Sequence, residues 1–153
     1  MERKVAIIDP VGIKAGMNHY DVNLLTGLCC HGVKTYLYSN FTPASSQIVS
    51  KVVFGHFYES KFLQGLNLLS GILKSCFDCK INGVHKVILH LFSTQLITFL
   101  TFFIVRLFRL KIIVISHDVS SFAKDDQPFS RNAIYNWLSE KIVVHNNFSL
   151  HFL

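Results

Sequence analysis

Two polar pairs follow apolar runs late in the chain and are the clearest candidates for chemistry. His117 and Asp118 come directly after KIIVIS, and His145 and Asn146 come directly after KIVV. An imidazole near neutral pKa can donate a hydrogen bond to a hydroxyl group or stabilise charge that develops in a transition state. Asp118 could orient the His117 ring or cap the following turn. We therefore treat His117 and Asp118 as candidate catalytic residues.

The loop after the first apolar run is a candidate binding site for an anion. It reads DPVGIKAGMN, carries glycines at positions 12 and 16, and leads into a segment with helical periodicity. Backbone N–H groups at a helix start beside glycines can bind phosphate. The spacing matches neither a Walker loop nor GxGxxG. Gly16 and Asn18 are candidate substrate-binding residues, and the alternative is a glycine turn in which Asn18 caps the helix.

The hydropathy pattern predicts the scaffold that positions these residues. Short apolar runs alternate with segments of helical spacing. The runs cover residues 5–9, 33–39, 51–57, 86–92, 111–116 and 141–146, and the helical segments lie near 17–30, 62–73, 94–108 and 128–137. Unbroken apolar strands are typical of parallel sheets covered on both faces. We predict an α/β fold, a single Rossmann-like domain with helices on both faces of a parallel sheet.

In such a fold, ligands bind at the carboxyl ends of the strands. The residues just after each apolar run are therefore expected to gather at one rim. Besides the two pairs above, this rim comprises residues 9–16, Ser39, Asn40, His56 and Ser93. Strand ends are also commonly polar for solubility alone, so position at the rim does not by itself assign a role.

The composition is that of a globular domain with a basic surface. Of 153 residues, 50% are hydrophobic and 16% are charged, and the net charge is +6. This balance excludes intrinsic disorder and favours partners that carry phosphate. Cys76 and Cys79 have CxxC spacing without a second such pair, so we expect packing and no metal site. No leader-like segment precedes the first run, and we expect a cytoplasmic protein with reduced thiols.

One long apolar segment, residues 87–108, invites comparison with a membrane span. It contains His90, Gln95 and Arg106, whose insertion into hydrocarbon is unfavourable. We predict instead a buried strand over residues 86–92 and an apolar helix over 94–107. Arg106, Arg109 and Lys111 follow that helix and suit either a peripheral contact with the cytoplasmic face of a membrane or the helix dipole.

Three stretches together form a recognisable pattern: AGMNHYDVNLLTGLCCHGVKTYLYSN, VISHDVSSFA and SEKIVVHNNFS. They resemble landmarks of the N-terminal domain of family-4-type glycosyltransferases of the GT-B architecture. The resemblance covers nearly the whole chain. It implies two Rossmann-like domains that face a cleft, with the acceptor bound mainly by the N-terminal domain and the nucleotide-sugar mainly by the C-terminal one. It further implies transfer with retention of configuration and without a metal.

The resemblance also assigns roles to particular positions. Gly16 would lie in the loop near the donor phosphates, although Ala15 stands where family members usually carry another glycine. His117 would approach the transferred sugar or the acceptor hydroxyl, with Asp118 beside it. The strand end at residues 145–146 would place His145 and Asn146 in the lining of the cleft.

The chain ends at FSLHFL, just after the last predicted strand. We therefore expect residues 1–153 to be the N-terminal, acceptor-side domain without the donor-binding C-terminal domain. Holding donor and acceptor in one geometry lowers a barrier by about 7–11 kcal/mol, so such a domain is expected to be inactive alone. A truncated product, a split gene and one subunit of a two-chain transferase remain open.

Other function classes are open to different degrees. A non-catalytic binding or regulatory module with the same fold is the main alternative. A nucleic-acid binder is disfavoured, because the Lys and Arg residues are scattered and no RNP-like aromatic motif is present. A dehydrogenase is disfavoured by the first loop and by Ser39 and Asn40, which stand where an acidic residue would bind a ribose.

Overall fold

The structure is a computed structural model that describes residues 2–13, 16–55, 60–91, 96–116 and 137–144. Strands and helices alternate along most of the chain. Six strands are described: β1 (Lys4–Asp9), β2 (Lys34–Ser39), β3 (Val49–Val52), β4 (Lys86–Leu91), β5 (Lys111–Ser116) and β6 (Lys141–Val144). Three helices are described: α1 (Asn18–Cys30), α2 (Lys61–Ile81) and α3 (Leu96–Leu107).

All six strands pair in parallel in one sheet of order β3-β2-β1-β4-β5-β6. From β1 the chain moves outward through β2 to β3, and α2 then returns it to β4 on the other side of β1. The strand order therefore reverses between β1 and β4. In open parallel sheets a crevice forms at the carboxyl ends of the strands at this reversal, which is the usual place for a ligand.

The two faces of the sheet have separate hydrophobic cores. Ile7, Leu37 and Ile88 point to one side, where they pack with Leu25 of α1. Their sequence neighbours point to the other side, where α2 and α3 complete a larger core; there Ile8, Tyr38 and Leu89 pack with Ile72 of α2 and Phe102 of α3. Burial of each large apolar side chain stabilises the fold by about 1.5–3 kcal/mol.

The structure confirms the predicted α/β class and the parallel, doubly covered sheet in a single domain. Its largest departures are at β3, which spans Val49–Val52 where we predicted residues 51–57, and at α2, which runs to Ile81. Cys76 and Cys79 are buried in this longer helix, as the packing interpretation predicted. Residues 56–59 and most of the predicted helix over 128–137 lie outside the described residues.

The segment that invited comparison with a membrane span is divided as predicted. Its first part is the central strand β4 and its second part is α3. Among the described residues, no helix combines the length and the hydropathy needed to cross a bilayer.

Candidate functional site

The carboxyl end of β1 carries a buried carboxylate that organises the first loop. Asp9 is fully buried, and its Oδ1 accepts the backbone N–H groups of Val11 and Gly12, both at 3.0 Å. The close turn needs glycine at position 12, because a Cβ there would lie 2.6 Å from the Phe41 ring. Asp9 therefore links the end of the strand to the loop above it.

The loop leads into α1 through a second turn. Gly16 has φ +68°, a conformation that glycine adopts readily, and its N–H donates to the carbonyl of Ile13. Helix α1 begins at Asn18 with Met17 as its N-cap, and no side chain caps it. The interpretation of Asn18 as the cap was wrong. Its side chain cannot cap, since the residue already lies inside the first turn.

One turn into α1, a second carboxylate points into the protein. Asp21 is fully buried, and its Oδ1 lies 2.6 Å from Nε2 of His90 in β4. The His90 side chain is only 2% exposed, and its ring meets that of Tyr20 edge to face at 5.7 Å. The Asp21–His90 contact joins α1 to the centre of the sheet. We call Asp9, Asp21 and His90 the acid–histidine cluster.

The acid–histidine cluster contains more buried hydrogen-bond acceptors than donors. Among the described residues, the Oδ2 atoms of Asp9 and Asp21 are both buried and have no hydrogen-bond partner. Burial, together with the neighbouring Asp21 carboxylate, raises the pKa of Asp9 to about 7. Burial also raises the pKa of Asp21 to about 6. A proton on Asp9 can be donated to Asp21, so we infer that the two carboxyl groups share one near neutral pH.

The same buried environment shifts the pKa of His90 downward, opposite to the shifts of the two carboxyl groups. Burial lowers the pKa of His90, while the negative charge on Asp9 works against that shift. A neutral imidazole with Nε2–H donates to Asp21 and leaves no buried cation. The cluster therefore holds ionisable groups whose charge changes near neutral pH, a property common at functional sites.

A cavity of about 290 Å³ opens beside the cluster. Asp9 and His90 belong to its wall, together with the polar residues Gln64, Thr98 and Thr101. The rest of the wall is mainly apolar and comes from β1, β4, α2 and α3. A smaller cavity of about 80 Å³ adjoins it, shares Gln64 in its wall and extends toward Asn67. The combined space can take a ligand with an apolar body and a few polar groups.

The same three side chains are of the types that bind metal ions. Each offers one ligand atom, and these atoms lie within 4.8 Å of one another. Two ligands of one ion with bonds of about 2.0–2.2 Å lie roughly 3 Å or more apart, so the 2.6 Å between Asp21 and His90 is that of a hydrogen bond. An ion would have to use the two unpartnered oxygens instead. The arrangement as it stands fits a shared proton better.

The predicted site residues have different outcomes. Asp9, at the predicted rim, lies in the cavity wall. Gly16 and Asn18 lie in the loop and first turn of α1 and do not belong to that wall. His117, Asp118, His145 and Asn146 lie outside the described residues. The strands that precede them end together, because Ser116 of β5 pairs with Leu91 of β4 and with Val144 of β6.

Sequence reasoning missed Asp21 and His90 as parts of the site. Both carried a signal. Asp21 falls four residues after Met17 and four before Leu25, on the apolar face of the predicted helix, where a carboxylate is unfavourable without a partner. His90 interrupts the apolar run KVILHLF of a central strand. Each residue interrupts a hydrophobic pattern, and the contact between Asp21 and His90 explains how both polar side chains can be buried.

The resemblance to glycosyltransferases rests on the three stretches quoted above, whose combination is more specific than any one of them. The parallel sheet agrees with it but is shared by proteins of many functions, so the fold alone assigns none. The cavity and the acid–histidine cluster are the structural features that bear on function. No protein-family model and no curated protein that was compared with the chain matches it.

Proposed function

We propose that the chain is the acceptor-side domain of a retaining glycosyltransferase, which moves a sugar from a nucleotide-sugar to a glycan or a lipid-linked acceptor. The observation that carries the proposal is the position of Asp9 and His90 in the wall of a cavity at the reversal of strand order. Ligands of open α/β sheets bind at this place. The glycosyltransferase resemblance supplies the reaction class, and the cavity supplies the acceptor site.

In this proposal the cavity holds the end of the acceptor that receives the sugar. Its apolar wall contacts the faces of a sugar ring or the start of a lipid chain, while Thr98 and Gln64 offer hydrogen bonds to hydroxyl groups. Asp9, with a pKa of about 7, can accept a hydrogen bond from the reacting hydroxyl when it is ionised. Asp21 and His90 act through Asp9 and hold its surroundings in place.

The donor is assigned to the end of the first loop that carries Gly16, a residue that does not belong to the cavity wall. A net charge of +6 favours a phosphate-bearing partner, and Gly16 directly precedes the first turn of α1. No resident cofactor is invoked, since the nucleotide-sugar is a substrate. A cytoplasmic location fits this donor and belongs to the proposal.

A binding experiment tests the acceptor site. Octyl glycosides serve as probes, because they combine a sugar with an apolar tail. We expect them to shift the NMR signals of His90 and Thr98, and Gln64→Trp to weaken binding about tenfold by filling the cavity. Asn23→Trp, exposed on α1, is the control and should bind normally. Probes that shift no cavity signals, or that bind equally to the Gln64 variant, would reject this site.

The catalytic assignment has its own test, because His117 lies outside the described residues. Transfer of labelled sugar from a set of UDP-, GDP- and ADP-sugars is measured in extracts that supply any partner chain. We expect His117→Ala to lower turnover by about 10²–10⁴-fold with unchanged circular dichroism. Normal turnover in that variant would remove His117 from the mechanism.

A non-catalytic binding module is the second candidate. It is favoured by one observation: both carboxylates of the acid–histidine cluster are fully buried, as side chains with a structural role commonly are. The two candidates differ in a simple way. A binding module keeps its affinity for octyl glycosides and yields no transfer product with any donor, even when a complete cell extract is added.

A further inference from the structure

We propose that the outer faces of α2 and α3 form a docking surface for an anionic lipid bilayer. This surface, the α2–α3 surface, consists of two parallel rows of apolar side chains. The row on α2 is Phe62, Leu66, Leu69, Leu73, Phe77 and Ile81. The row on α3 is Leu96, Leu100, Phe103 and Leu107.

Helix α2 is apolar on two adjoining sides. One side carries Ile72, Cys76 and Cys79, which are buried against the sheet. The row on the other side follows helical spacing of three and four residues, so it forms one continuous stripe. Phe62 is 72% exposed and Ile81 is 69% exposed, where a helix at a water-facing surface would carry polar residues.

Helix α3 repeats the arrangement. Phe102 and Val105 face the core, whereas Leu96 is 73% exposed and Leu107 is 64% exposed. Both helices cover the same face of the sheet and pack side by side. The two rows therefore lie next to each other on the outside of one layer. Scattered exposed apolar residues are ordinary, but two aligned rows on neighbouring helices mark a binding surface.

The charges around the α2–α3 surface are mostly positive and favour an anionic partner. Lys61, Lys74 and Lys80 of α2 and Arg106 of α3 are all exposed. The one acidic residue within the two helices is Asp78, which accepts hydrogen bonds from Lys51 at 2.6 Å and Tyr38 at 2.7 Å. Apolar rows flanked by exposed cations match a membrane interface with acidic headgroups.

A second copy of the chain fits this surface less well. A two-fold contact would bring the basic side chains of both copies into one interface, which like-charge repulsion disfavours. Acidic headgroups neutralise them, and the long Lys and Arg side chains can reach those headgroups while the apolar rows enter the interface. The proposal commits to the bilayer for this reason.

Docking would place the cavity close to the membrane. The first turns of both helices border the cavity through Gln64 and Thr98, and the same turns carry Phe62 and Leu96 of the docking surface. A lipid-linked acceptor could then pass from the bilayer into the cavity. This last step rests on the proposed function, whereas docking itself does not.

Vesicle co-sedimentation of the full chain tests docking without any measurement of transfer. Vesicles of phosphatidylcholine alone are compared with vesicles that also contain phosphatidylglycerol. We expect strong binding only to the anionic vesicles. Phe77→Glu should weaken it at least about tenfold, and so should the combined change Lys74→Gln, Lys80→Gln and Arg106→Gln. The matched controls are Val52→Glu, an exposed apolar site on β3, and Lys34→Gln, an exposed cation on β2; both should bind normally.

Circular dichroism and sedimentation velocity accompany each variant. Because the substituted side chains are exposed, the variants should keep the helix signal and thermal unfolding of the unmodified chain. Absence of binding to anionic vesicles would overturn the proposal, as would undiminished binding of folded Phe77→Glu. A dimer that Phe77→Glu dissociates, with no vesicle binding, would assign the surface to a second copy instead. Failure of the octyl glycoside experiment would leave these outcomes unchanged.

Discussion

The two faces of the sheet carry helices that depart from the usual amphipathic pattern in opposite ways. On the α1 side, the buried face of the helix contains a carboxylate, Asp21, which needs His90 as a partner. On the other side, the water-facing rows of α2 and α3 are apolar and have no partner within the described structure. A buried charge and an exposed apolar row are both unfavourable for a free-standing domain.

Both regions depart from the pattern that the stability of the fold alone would favour. Local exceptions of this kind concentrate at functional sites, because favourable interactions elsewhere in the protein compensate for their cost in stability. The α1 exception lies beside the cavity, and the α2–α3 exception borders it from the outside. One is a candidate for chemistry with a ligand and the other for contact with a surface. The following predictions test whether the two exceptions are truly different in kind.

The largest expected effect separates two neighbouring residues of α2. Ile72 is fully buried against the sheet, and Leu73 is exposed in the outer row. Ile72→Ala should lower the free energy of unfolding by about 2–5 kcal/mol because it leaves a cavity, whereas Leu73→Ala should change it by less than about 0.5 kcal/mol. Urea unfolding of both variants measures the difference. Equal losses would mean that the outer row is part of the core, contrary to the docking proposal.

On the α1 side, removal of the buried carboxylate should destabilise the protein. Asp21→Ala removes the carboxylate that Nε2 of His90 contacts and should lower the free energy of unfolding by roughly 2 kcal/mol, partly offset by relief of repulsion with Asp9. Asn23→Ala, exposed on the same helix, serves as the control and should be nearly neutral. An Asp21 variant as stable as the control would show that the cluster contributes nothing to the fold.

The shared proton predicts a characteristic dependence on pH. The pKa of Asp9 is raised from 3.8 to about 7, so the folded state binds its proton more tightly than the unfolded state. This contribution to stability is complete below about pH 4 and is lost as the pH rises toward about 7. Asp9→Asn imitates the protonated form, retains an acceptor for Val11 and Gly12, and should remove that loss.

The measurement is the free energy of unfolding of both proteins between pH 4 and pH 8. We expect Asp9→Asn to be about 1–2 kcal/mol more stable than the unmodified chain at pH 8 and close to it near pH 4. His90 acts in the opposite sense, because its lowered pKa removes stability as the pH falls below 6.5, but it does so in both proteins. Parallel curves for the two proteins would disprove the shared proton.

The smallest expected effect concerns the turn before α1. Gly16 has φ +68°, and a Cβ there would contact nothing within 4 Å. Gly16→Ala should therefore cost about 1 kcal/mol through backbone conformation alone. Gly27→Ala, in the middle of α1 with open space around it, should be neutral or slightly stabilising. A similar result for both glycines would show that the turn does not depend on the left-handed conformation.

Much of the fold could be predicted because the local pattern and the global structure agree. The apolar runs at residues 5–9 and 111–116 are strands, and the spacing of Leu24 and Leu28 marks α1 as expected. Strand β3 was misplaced by a few residues, because Val53 and Phe54 continue its apolar character beyond Val52, where the strand ends. Helix α2 was predicted to end too early, because apolar residues on two of its sides obscure the helical period of its hydrophobic pattern.

The candidate site was predictable only in part. Asp9 could be placed at the rim from its position after a strand, because parallel strands end at one edge. Asp21 and His90 are 69 residues apart, and nothing local indicates that they meet. The pattern showed two polar residues on apolar faces, but only the packing of α1 over β4 makes one the partner of the other.

By itself, the sequence determined the class of the protein. Apolar runs that alternate with segments of helical spacing predict a parallel sheet covered on both faces, and the composition predicts a basic, partly apolar surface. These properties follow from the chemistry of single residues and their near neighbours. The tertiary structure decided the order of the strands, the reversal between β1 and β4, and the cavity beside Asp9. It alone turned isolated apolar rows into one surface, because contact between distant segments depends on the sum of all packing interactions.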